Sequence, residues 1–219
     1  MSAEARRWKG RSVSTTAANG PSGEFRAASN YPTQRAWGSE IADILVQVAG
    51  LLEGLDAEQW ESPSLCAGWS VRDVAGHIVW RIGTSTREML SEGGRAYLGR
   101  YLNPMRVIDE LSGRAAEASP AELVQEIRHI AALKLGDDGR IGLTELTEAL
   151  VHSYDIARAL GIPLEIEPRV SAAVAARRSL MLPLELRHVL RNRTLVAADA
   201  GWRIGRGAEV MGSAQAVVL

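Results

Sequence analysis

Between Thr144 and Leu160 the chain sets Glu145, Glu148, His152 and Asp155 at successive spacings of three, four and three residues. On an α-helix such spacings fall on one face. The rest of the segment, including Leu146, Leu150, Val151, Ile156, Ala157 and Leu160, is strongly apolar. A helix of this kind is expected to be well buried, so its polar stripe must face either water or a site. Ionisable groups packed into so narrow a stripe, most of them acidic, repel one another unless something positive sits among them. Gly161 stops the helix and Pro163 lies beyond it.

Other segments share the helical period. Ile41, Ile44, Leu45, Val48, Leu51, Leu52 and Leu55 form one apolar stripe over about residues 39–55. Ser70 caps a further helix, with Asp73 in the capping-box position, and Val74, Ile78 and Ile82 mark its core face beside His77. Asn103-Pro104 opens a helix to about Leu111 or Arg114. Ser119-Pro120 with Glu122 opens another to about Leu135, its Leu123, Ile127, Ile130 and Leu133 inward. Residues 56–69 read as a connection, 91–102 as a Gly-rich loop and 136–139 as a turn. A shorter helix is expected over about residues 170–182. After it the period shortens, and Thr194–Ala198 and Trp202–Ile204 around Asp199-Ala-Gly201 predict a hairpin. The segment 209–219 suits a further strand or a helical start.

The fold class that follows is mainly α, a helical bundle with a small C-terminal β segment. Three regions are expected. Residues 1–36 are polar, poor in large aliphatics, and read as a disordered extension; residues 37–168 form the bundle; residues 169–219 form an α/β segment. A formal net charge of −1 gives no electrostatic reason to expect nucleic acid or an anionic membrane as partner. No apolar run approaches a membrane span, and no apolar stretch follows the first residues as in a secretory signal. With Cys66 as the single cysteine, the expected setting is a reducing cytoplasm.

Glu148 and His152, four residues apart, can offer ligands to one metal from consecutive turns, and imidazole and carboxylate are ordinary zinc ligands. His77, on a core-facing stripe, is the best candidate for a third. Three protein ligands leave a coordination position open, the catalytic pattern. The alternative is a solvated helix face with a hydrogen-bonded His77, since a lone E-x-x-x-H arises often by chance.

Two segments carry a resemblance. Ser64-Leu-Cys66-Ala-Gly-Trp69-Ser-Val-Arg-Asp73-Val-Ala-Gly-His77-Ile resembles the N-terminal signature of the mycothiol-dependent maleylpyruvate isomerase family, one of the DinB-like metal-binding four-helix bundles. Glu148-Ala-Leu-Val-His152-Ser-Tyr-Asp155-Ile-Ala-Arg-Ala-Leu-Gly161 resembles its second signature. The resemblance covers about residues 39–205. It implies an antiparallel four-helix bundle with zinc on His77, Glu148 and His152, the three residues also reached from spacing. It further implies mycothiol as thiol co-substrate and a small electrophile as substrate. The metal would lower the thiol pKa, and the thiolate would add to an electrophilic carbon, giving S-transfer or cis–trans isomerisation. The stretch 194–219 resembles the start of the family's C-terminal α/β domain, only part of which is expected here. A non-catalytic metal-binding bundle, acting as a binding or stress-related module, is the competing function.

Asp155, one turn after His152, is either a catalytic-site carboxylate orienting a ligand or an ordinary surface carboxylate. Glu145 is expected to be solvated. Cys66 is expected to be a buried structural thiol, Trp60 and Trp69 to plug a bundle end, and His129 and His188 to lie at the surface.

Overall fold

The computed structural model describes residues 36–88, 91, 94 and 104–219. The expected disorder of residues 1–36 falls outside these except at Ala36. The loop expected over 91–102 does so too, except that Ser91 and Gly94 are helical.

The apolar stripe of the first segment forms α1 (Gly38–Glu53). Its Ile41, Ile44, Leu45, Val48 and Leu52 are buried against α5 (Pro120–Leu135) and α6 (Leu143–Ala159). The connection after α1 holds a short helix that the sequence reading passed over, α2 (Ala57–Glu61). Asp56 and Gln59 close a reciprocal capping box there, so the start signal was present, followed by too few apolar residues to register as a period.

Ser70 and Asp73 form the expected capping box at the head of α3 (Val71–Ile78). At Val79–Gly83 the helix widens into a π-helical turn. The carbonyl of Arg81 in that turn accepts a hydrogen bond from Arg140, which lies just ahead of α6. Ile82 is fully buried on the same turn. Helix α4 (Pro104–Ala116) packs on α3 and ends slightly later than its sequence suggests. Helices α1, α3, α5 and α6 form the bundle, and the core between them is aliphatic. On α5, Leu133 is half-buried, and Lys134 takes the buried position beside it.

Beyond the bundle, α7 (Pro168–Met181) packs an Ala-rich face on α6. An exposed helix unmarked in the sequence reading follows, α8 (Leu184–Asn192), none of whose residues is buried. The predicted hairpin is β1 (Arg193–Ala197) antiparallel to β2 (Trp202–Gly205). Both outcomes entertained for the tail occur: β3 (Ala208–Gly212) runs parallel to β1, and α9 (Ala214–Val218) follows. Trp202 Nε1 donates to Ser171 Oγ at 2.9 Å, tying this sheet to α7.

Two helices approach closely at Gly76 of α3. A Cβ there would stand 2.6 Å from the Ala116 nitrogen and 2.8 Å from its Cα. These are backbone atoms at the end of α4, so a side chain at residue 76 forces the helices apart. Gly76→Ala is therefore expected to destabilise the protein by about 1–3 kcal/mol through overpacking. Urea unfolding of the variant beside wild type measures it, and unchanged stability would mean that α4 is not held this closely.

Candidate metal centre

The polar stripe of α6 turns inward. Glu148 and His152 lie on its consecutive turns, and α3 delivers His77 from the opposite side. His77 Nε2 stands 3.5 Å from Glu148 Oε2, and His152 Nε2 stands 3.3 Å from the same oxygen. The two imidazole rings meet edge to face with centroids 4.5 Å apart. One ligand atom from each of His77, Glu148 and His152 lies within 4.8 Å of the others. The structure thus brings together the three residues singled out by spacing.

Both rings are held at the other nitrogen. His77 Nδ1 lies 2.9 Å from Ser112 Oγ on α4, and both side chains are buried. His152 Nδ1 lies 3.1 Å from Asp155 Oδ2. With a proton on each Nδ1, each Nε2 presents a lone pair to the Glu148 carboxylate. His77 Nε2 is buried and makes no well-formed hydrogen bond. In the neutral rings these lone pairs facing a carboxylate call for a positive charge between them, a proton or a cation. Two imidazoles and a carboxylate are a donor set that suits a divalent transition-series cation, zinc among them. The residues present fit such an ion.

Positive charge already stands nearby. Arg81, carried by the π-helical turn, reaches Glu148 at 3.6 Å and Glu145 at 3.8 Å, and Arg140 reaches Glu145 at 3.4 Å. Glu145 is therefore not solvated, as its sequence position suggested. It is buried, and the two arginines that offset its charge come from elements distant in sequence. Neither arginine carries a local sequence signal.

Cys66 also departs from expectation. It is half-buried in the loop ahead of α3, and its thiol donates to Asp155 Oδ2 at 3.1 Å, with Sγ 3.7 Å from His152 Nδ1. Asp155 is buried and bonds the ring of His152, so it is no surface carboxylate. Trp60 is buried as a bundle plug, whereas Trp69 packs its ring 5.2 Å from His77. Trp80 flanks the same ring at 5.9 Å. His129 and His188 are exposed as expected. Ser112 was missed because a lone serine in an amphipathic helix carries no spacing signal.

Electrostatics separate the two histidines. Burial pushes the His77 pKa down, and the hydrogen bond and charge of Glu148 recover only part of that. Burial also opposes charge on His152, but its contacts with Asp155, Cys66 and Glu148 outweigh it and raise the pKa well above 6.5. Burial alone would raise the Glu148 pKa, yet His152, His77 and Arg81 hold it well below the ordinary carboxylate range. A groove of about 360 Å³ runs past Glu148 and His152, walled by Thr147 and Val151 of α6, Arg178 and Met181 of α7, and Leu182-Pro183.

What these features define is a helical bundle with a partly buried two-histidine, one-carboxylate centre. Residues 41–133 match the family model of the mycothiol maleylpyruvate isomerase N-terminal domain, and over that span the resemblance to the family is shown. The matched span contains His77 and ends before Glu148. Two solved structures are similar, one of the mycothiol-dependent maleylpyruvate isomerase and one of a histidine-to-alanine mutant of it. They share 14% and 15% identity with the chain, at TM-scores of 0.49 and 0.47. Each alignment covers 83% of this chain and 85% of the other. No curated protein matches.

The pKa directions give the metal-free protein a signed pH dependence. A raised His152 pKa contributes stability that is complete below 6.5 and lost as pH climbs through the folded value. A lowered Glu148 pKa contributes stability present above 4.5 and lost as pH falls through its folded value. His77 acts in the opposite sense to His152, costing stability as pH drops below 6.5. The unfolding free-energy difference between wild type and His152→Gln, measured in chelator, should therefore shrink as pH rises through the His152 folded pKa. A difference that does not vary with pH would show that folding leaves the His152 pKa unchanged.

Proposed function

We propose that the chain is an enzyme using a divalent metal, zinc by preference, and a low-molecular-weight thiol of the mycothiol kind. It would carry out S-transfer or cis–trans isomerisation on a small electrophile. His77, Glu148 and His152 would hold the metal. The observation that carries this reading is the convergence of two Nδ1-anchored imidazoles on one carboxylate. The match of residues 41–133 to the N-terminal domain of a mycothiol-using isomerase supports the choice of thiol chemistry.

When bound, the metal supplies positive charge that lowers the pKa of a thiol at its open position. The chain's own residues do the rest. Ser112 and Asp155 fix the ring orientation and tautomer of the two histidines, as outer-shell partners of metal ligands do. Asp155 is the one to which we assign a role closest to the reaction, since it bonds Nδ1 of His152. Arg81 offsets the charge of Glu148 and Glu145 on the buried side. The groove offers apolar walls at Val151, Met181, Leu182 and Pro183, with the Arg178 guanidinium among them. That combination suits the carbon frame of a small thiol and its electrophile.

We assign residues 37–168 to the metal-binding bundle and 169–219 to a partial C-terminal α/β segment. The single cysteine favours a reducing cytoplasm. No helix among the described residues is long and apolar enough to cross a membrane.

Elemental mass spectrometry after purification without chelator should find near one metal ion per chain in wild type and none in His152→Ala. Added thiol should then be required for turnover of an electrophile. A chain that carries no metal and takes none up on reconstitution would sink the reading. Metal with no thiol-dependent turnover would instead favour a non-catalytic binding bundle.

Ser112→Ala should lower metal affinity by about 10–100-fold, the usual cost of removing an outer-shell partner. Competition against a chromophoric chelator measures this, and Ser112→Thr, which keeps the hydroxyl, should restore most of it. Unchanged affinity in Ser112→Ala would mean that His77 needs no anchor.

A further inference from the structure

His152 presents only its Nε2 to the centre described above. Its Nδ1 faces outward, toward Asp155 and Cys66. There Cys66 Sγ lies 3.7 Å from Nδ1 and 3.1 Å from Asp155 Oδ2, and Nδ1 lies 3.1 Å from the same carboxylate oxygen. Taking one ligand atom from each residue, Cys66, His152 and Asp155 form a second group that lies within 4.8 Å of one another. The two groups draw on different nitrogens of one ring, so they do not compete for a donor atom.

The loop that carries Cys66 is fixed in place. Ser64 Oγ donates to the Trp69 carbonyl at 2.8 Å, and the Leu65 N–H donates to the Asp155 carbonyl at 3.3 Å. Pro63 and Ser70 bridge its two ends. The thiol is therefore presented to α6 by a preformed turn, and its half-exposure leaves a path from solvent.

We propose that Cys66, His152 and Asp155 form a second cation site, for a soft, thiophilic ion of the zinc, cadmium or copper(I) class, on the outer edge of the His152 ring. One sulfur, one nitrogen and one oxygen donor suit such an ion. Calcium and magnesium, which need shells of oxygen, are excluded by the same set. Binding replaces two protons: the Cys66 thiol gives up one, and the His152 Nδ1–H gives up the other. With both sites filled, the ring is an imidazolate shared between two cations. Their mutual repulsion makes the second ion bind more weakly than the first. Two of its donors, His152 and Asp155, also serve the thiol chemistry proposed above, and Cys66 belongs to this site alone.

Cadmium titration of the full-length, metal-free chain tests the proposal, because a cadmium–thiolate bond has its own ultraviolet charge-transfer band. Wild type should take two cadmium ions per chain, the weaker one bringing in the band. Cys66→Ser should take one, without the band, and Asp155→Asn should weaken the band-forming step at least tenfold. Glu148→Gln should lose the tighter step and keep the band. Absence of a thiolate band in wild type at any cadmium concentration would overturn the proposal. So would a band that Asp155→Asn leaves unchanged. A normal band together with a Glu148→Gln titration identical to wild type would leave this site standing and remove the first one instead.

Discussion

One carboxylate organises this molecule. Glu148 Oε2 is the meeting point of two imidazole Nε2 atoms, and Oε1 of the same group faces the Arg81 guanidinium. A half-buried carboxylate surrounded on three sides keeps its charge at neutral pH, where burial alone would favour protonation. Every element of the bundle that bears on function is placed with respect to it. Helix α6 supplies it, α3 brings His77 across, the π-helical turn brings Arg81 behind, and α4 steadies His77 from outside.

That arrangement depends on local irregularities in otherwise regular helices. The widened turn at Val79–Gly83 re-aims Arg81, and its carbonyl is tied down by Arg140. π-Helical turns recur at functional sites because the extra residue redirects side chains that a regular helix would aim elsewhere. At Gly76 the missing side chain lets the end of α4 touch α3, and this contact holds Ser112 at hydrogen-bond distance from His77. The packing of a structural glycine thus sets the orientation of His77, one residue further along the chain.

Much of this was legible in the sequence. The stripes of α1 and α5, the capping boxes at Ser70 and Ser119 and the hairpin at Asp199-Ala-Gly201 are local signals, and each appears where it was expected. The grouping of His77 with Glu148 and His152 was legible because two of them share a helix and the third sits on a core-facing stripe. What the sequence withheld was set by tertiary contact. Glu145 looked solvated because its partners, Arg81 and Arg140, come from elsewhere in the chain. Cys66 looked inert because its neighbours, Asp155 and His152, lie across the fold. Helix α8 was missed because it buries none of its side chains, so no core fixes its pattern.

The aromatic setting of His77 has a consequence for observation. Trp69 and Trp80 flank the imidazole with centroids 5.2 and 5.9 Å away. Indole emission is quenched by a nearby protonated imidazole and responds to charge placed close to the ring. Any event that changes the charge on His77, whether a proton or a cation, is therefore written into the protein's own fluorescence. The centre comes with a built-in optical reporter that needs no added dye.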